Sequence, residues 1–137
     1  MIRIAVLLAA LGCGLASAAP AGAEDQPIPV EEWRRMTEGR TVYYYVDGQF
    51  FGREYYWPGT DMVTFQHASG QCADARWDYA DGIYCFHFDR PHCFAHVRRG
   101  ERIFVIPRAV PLGGDETEQE VRRIVAAPFS CAPGLSS

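Results

Sequence analysis

The chain has no lysine: all thirteen basic residues among its 137 are arginine. Seventeen acidic residues outweigh them, for a formal charge of −4. Such a balance lacks the basic face that nucleic-acid phosphates demand, so no nucleic-acid partner is expected. Long hydrophobic runs are scarce too. The single one, residues 4–15 behind Arg3, matches the apolar region of a secretory leader and falls short of the ~20 residues of a spanning helix. Ala16-Ser17-Ala18 and Ala21-Gly22-Ala23 are small-x-small cleavage sites. Residues 1–23 are therefore expected to be a signal peptide, with no integral membrane segment after cleavage and the mature protein periplasmic or secreted. Also missing are a Gly-x-Ser-x-Gly elbow, a phosphate-binding loop, a dinucleotide fingerprint, Cys-x-x-Cys and His-Glu-x-x-His. These absences remove the catalytic and nucleotide chemistries that a sequence shows most readily. No catalytic residue, cofactor or metal is expected.

Cysteine is sparse but even in number. Cys13 belongs to the leader, which leaves Cys72, Cys85, Cys93 and Cys131. Four cysteines in a small exported chain read as two disulfides rather than as reactive or metal-binding thiols.

What is abundant is turn punctuation. Asp47-Gly48, Pro58-Gly59, Ser69-Gly70, Asp81-Gly82, Arg90-Pro91 and Arg99-Gly100 recur every nine to twelve residues, between runs rich in Tyr, Phe, Trp, Val and Ile. The pattern predicts a mainly all-β fold: an antiparallel β-meander over residues 41–110, of about seven strands, forming a curled sheet or small barrel. The strands are expected at 41–46, 49–57, 62–67, 71–79, 83–88, 92–98 and 102–107.

Loop lengths then set registers. They place Phe65 opposite Ala73, Val63 opposite Ala75, Trp77 opposite Phe86, Tyr79 opposite Tyr84, Phe86 opposite His92 and Tyr84 opposite Phe94. A two-residue loop at Arg99-Gly100 places Phe94 opposite Val105 and His96 opposite Ile103. Because side chains alternate along a strand, one face collects the apolar residues from Val63 to Val105, and the other carries Thr64, Gln66, Asp74, Arg76, Asp78 and His87. The same register sets Cys85 directly across from Cys93, within disulfide reach. Cys72 then pairs with Cys131 and ties the C-terminal tail to the sheet.

Flanking segments complete the plan. Residues 24–40 form a lead-in with a short helix over 30–38, ended by Gly39 and folding Trp33 onto the domain. Residues 111–137 are expected to hold a helix, capped at Asp115 or Thr117 and running to about Ala126, and then the tethered tail. Val121, Ile124 and Val125 would be the helix's apolar stripe.

Candidate chemistry is thin. Cys85, His87, His92, Cys93 and His96 crowd into twelve residues, but His92 and His96 lie ~13 Å apart on one strand and His87 points the other way. His92 and His96 therefore read as edges of an aromatic core. Asp74 and Asp78 are spaced too widely for a paired-carboxylate centre, and Glu54 with Arg53 reads as surface charge. The aromatic surplus is more suggestive. Tyr43-Tyr44-Tyr45 and Tyr55-Tyr56-Trp57 must occupy both faces of their strands, which makes Tyr43, Tyr45, Tyr55 and Trp57 candidate ligand-binding residues.

The pattern Gly70-x-Cys72-x4-Trp77-x7-Cys85-Phe86-x6-Cys93-Phe94, with Gly100, resembles small exported bacterial proteins of unknown function built on a β-meander. The likeness covers residues 41–105 and implies fold and disulfides but no activity. A looser architectural likeness is to periplasmic inhibitors of lysozymes or proteases. The expected function is that of a non-catalytic exported domain that binds a cell-envelope protein, a glycan or a small ligand. The alternatives are an enzyme or metal-binding protein using His67, His92 and His96 at one end of the sheet, an inhibitor of a lysozyme or protease, and a purely structural envelope protein.

Overall fold

A computed structural model describes residues 22–108 and 117–131. The signal-peptide expectation falls almost wholly outside them. A short strand β1 (Asp25–Pro27) leads into helix α1 (Val30–Thr37). Eight strands follow: β2 (Thr41–Val46), β3 (Gln49–Tyr56), β4 (Met62–His67), β5 (Cys72–Ala80), β6 (Ile83–His87), β7 (Pro91–Arg99), β8 (Arg102–Pro107) and β9 (Gln119–Val125). Each pairs antiparallel with the next, and β9 returns to pair with β2. The sheet closes into an eight-stranded barrel, and closure gives each of these eight strands a partner on both sides. β1 lies along the far half of β7, Pro27 opposite Val97.

Turn chemistry accounts for the hairpins. Asp47 (φ 47°) with Gly48 (φ 79°), and Asp81 (φ 50°) with Gly82 (φ 82°), have the two successive positive φ values of type I′ turns, whose twist matches that of the strands they join. Observed partners include Phe65 with Ala73, Trp77 with Phe86, Tyr84 with Phe94 and Cys85 with Cys93. The β7–β8 hairpin differs from expectation by two residues: His96 faces Val105 and Phe94 faces Pro107. Gly100 alone has positive φ there (64°). The turn is therefore Gly100-Glu101 with glycine leading, as in type II′, and not Arg99-Gly100. A slip of two preserves the faces.

The largest correction concerns the C-terminal segment. Residues 119–125 are strand β9, the eighth stave of the barrel, and not a helix. The spacing of Val121 and Ile124 mimics a helical stripe because of a β-bulge. Tyr43 pairs with Arg123 and Tyr44 with Val121, which leaves Arg122 as the extra residue. That residue restores Ile124 to the inward face. A second bulge sits in β3, where Tyr44 pairs with Gly52 and Tyr45 with Phe50, so that Phe51 is unopposed.

The interior is aromatic and closed at one end. α1 lies across that end, with Trp33 fully buried against Tyr56, Tyr84 and His96. The Tyr84 hydroxyl donates to the Ile28 carbonyl at 2.8 Å, and Arg98 pairs with Glu32, fastening the lead-in to the barrel. Both expected disulfides are present. Cys85–Cys93 spans neighbouring strands with a Cα separation of 4.1 Å, and Cys72–Cys131 draws the tail across the outer wall at 6.0 Å.

Candidate functional site

A cavity of about 610 Å³ occupies the half of the barrel away from α1. Phe51, Phe65, Phe86, Phe88 and Phe94 contribute to its walls, and Tyr44, Glu54, His96 and Gln119 lie deeper. The mouth is at the end bearing the β4–β5 and β6–β7 loops, where His67, Gln71, Asp89, Arg90 and His92 line it. Room exists because inward positions there are small or sit at strand ends: Ala73 replaces bulk on β5. A Cβ on Gly52 would come within 2.4 Å of the Phe65 ring and 2.8 Å of the Gln66 carbonyl, so this glycine lets β3 and the Phe65 ring approach closely.

Glu54 is the principal discovery of the structure. It is 4 % exposed and lines the cavity instead of contributing surface charge. Residues 51 and 52 both turn inward at the β3 bulge, which sets Gly52, Glu54 and Tyr56 on the inner face. Glu54 sits opposite Phe65, itself an inward residue. A relay of donors ends on its carboxylate. The Trp33 Nε1–H donates to Tyr56 Oη at 3.2 Å, the two tyrosine oxygens are 3.4 Å apart, and Tyr44 Oη–H donates to Glu54 Oε1 at 3.0 Å. Indole is a donor only, and the one Tyr44 proton goes to Glu54. Tyr56 must therefore supply the proton of the tyrosine–tyrosine link, and every donor in the relay points toward Glu54. Burial raises the Glu54 carboxyl from its ordinary 4.5 to about 7, against the lowering influence of the Tyr56 and Tyr44 hydroxyls. Burial pushes both phenols well above their usual value, so they stay protonated donors.

His96 lies at the centre of the core rather than at its edge. Its ring stacks on Tyr84 at 3.9 Å, meets Trp33 edge-on at 4.3 Å, and is 2 % exposed. Burial lowers its pKa from 6.5 to about 3, so the imidazole is neutral near neutral pH. Its Nδ1 has no hydrogen-bond partner among the described residues. His67 and His92 stand at the mouth, His67 Nδ1 2.9 Å from Ser69 Oγ and His92 Nε2 3.2 Å from Asp89. The three histidines thus share one cavity, but His96 is packed as a neutral core ring. No group of three or more potential metal-ligating side chains forms among the described residues.

The aromatic candidates lie on the outer wall. Tyr43 is stacked under Arg123 at 4.2 Å, and Tyr45 under Arg122 at 4.8 Å. The Arg53 guanidinium first, and Arg123 after it, pull the Tyr43 phenol below its ordinary pKa. Tyr55 is buried and meets Trp57 edge-on at 4.9 Å, while Trp57 is 47 % exposed and donates to Thr64 at 2.9 Å. Asp74 and Asp78 are also outside, bonded to Thr64 and His87 respectively. No candidate aromatic reaches the cavity. Comparison with protein-family models, with curated proteins and with solved structures finds no match to the chain.

Proposed function

We propose that this protein is an exported, non-catalytic binding protein that holds one small, mostly apolar ligand inside its barrel. The observation that carries the reading is the cavity: about 610 Å³, walled by phenylalanine rings and floored by a few polar groups. An eight-stranded barrel is wide enough for one small ligand, and this volume lies within the ~300–1,000 Å³ of ordinary ligand sites. Closure and two disulfides keep the frame rigid before a ligand arrives, which limits the entropy lost on binding. Export accords with the leader-like residues 1–23 and with disulfides, which persist in oxidising compartments.

The neutral probe N-phenyl-1-naphthylamine should brighten on entering the cavity. Ala73→Trp, which fills the mouth side, should abolish that response while leaving the far-UV circular dichroism unchanged. A wild-type protein that gives no enhancement, or a filled variant that retains it, refutes the reading.

The outer wall supports a second reading, docking of a cell-envelope protein or glycan. Trp57 and Phe50 are 47 % and 40 % exposed there, with Tyr43 and Tyr45 beside Phe50.

A further inference from the structure

Within the binding reading above, on which this step rests, the geometry points to a ligand class: an alkylammonium with an apolar or aromatic body, its cationic nitrogen seated against Glu54 at the floor. Three observations converge. First, Glu54 is a carboxylate buried in the cavity wall, and no Arg or His forms an ion pair with it among the described residues. His96, the deep basic group, is a neutral ring and supplies no counter-charge. Leaving a carboxylate unpaired in an apolar enclosure is costly, and a bound cation removes that cost.

Second, Tyr44 donates to Oε1 and the Tyr56 hydroxyl also acts on the carboxylate, but an ionised carboxylate offers about four acceptor positions, so positions remain open. An ammonium brings donors and no acceptor, the complement of what is left. Third, the rings of Tyr44, Phe65, Phe86 and Phe94 surround the same space, and their faces attract a cation while their area holds an apolar body. A carboxylate ligand such as a fatty acid would meet like charge at the floor. A resident metal ion takes several protein ligands, and no group of three or more candidate ligands forms among the described residues.

The test is calorimetric titration at about pH 8, where an alkylamine is still cationic, with three probes of one shape. Tryptamine carries the ammonium, tryptophol a hydroxyl and indole-3-propionate a carboxylate. Tryptamine should bind about tenfold or more tightly than either analogue, and Glu54→Gln should erase that advantage. The wild-type comparison needs no variant, so it decides even if Glu54→Gln folds poorly. Equal binding of the analogues, no tryptamine binding by a protein that takes up N-phenyl-1-naphthylamine, or a preference that survives Glu54→Gln overturns the ammonium assignment and leaves the cavity reading standing. Failure to take up N-phenyl-1-naphthylamine removes the cavity reading itself.

Discussion

Glu54 and His96 are two ionisable side chains in one apolar interior, and burial shifts them in opposite directions. The Glu54 carboxyl stands at about 7 when folded, above its ordinary 4.5. Between those values the folded protein keeps a proton that the unfolded chain has released, so this group makes stability fall as pH rises. His96 stands at about 3, below its ordinary 6.5. In that window the unfolded chain takes up a proton that the folded protein refuses, so stability rises with pH. The windows overlap between about 4.5 and 6.5, where the two slopes cancel. Urea unfolding across that range should give a nearly flat stability profile. Glu54→Gln should expose the rising limb of His96, worth up to a few kcal/mol by pH 6.5. A variant as flat as the wild type would show that neither shift is present. Neither residue could be assigned from its neighbours in the sequence. Glu54 follows Arg53, a pairing typical of exposed strands, and its inward direction depends on the bulge at Phe51.

At the scale of elements, the hairpins were legible because their turns are local chemistry. Asp-Gly demands positive φ at two successive residues, and that demand sets the register of everything beyond it. The pairing of Cys85 with Cys93 follows from the same local rule. The last hairpin and β9 were harder to read. A glycine can lead or follow in a two-residue turn, and a bulge makes a strand's inward residues three apart, which imitates a helix. The two disulfides should also differ in weight. Cys72–Cys131 closes a separation of 59 residues and Cys85–Cys93 one of 8. Chain-entropy arguments then give losses of about 4 kcal/mol for Cys72→Ser/Cys131→Ser and about 2.5 kcal/mol for Cys85→Ser/Cys93→Ser. Chemical denaturation of the two double variants measures the difference. The reverse order would mean that the tail contributes little to the folded wall.

For the whole molecule, the decisive fact is that one end of the barrel is filled and the other is not. Trp33 fills the first end, fully buried, and starts the relay that ends at Glu54. Trp33→Ala should cost about 3–5 kcal/mol, typical of deleting a buried tryptophan. It should also lift the constraint on Tyr56, seen as loss of near-UV circular dichroism from the core aromatics. A loss below 1 kcal/mol would show that α1 is a loose cover rather than part of the core.

The sequence by itself determined the strands from residue 41 to residue 107, the division of side chains between two faces from Val63 to Val105, and both disulfides. Each of these follows from alternation and from turns a few residues long. The tertiary structure alone decided that the sheet closes, that residues 119–125 complete it as a strand, and that Glu54 faces an aromatic cavity. Closure is the reason. It joins β2 to β9 across some eighty residues of chain, and no local pattern encodes which strand will meet another at that distance or what space their side chains will leave between them.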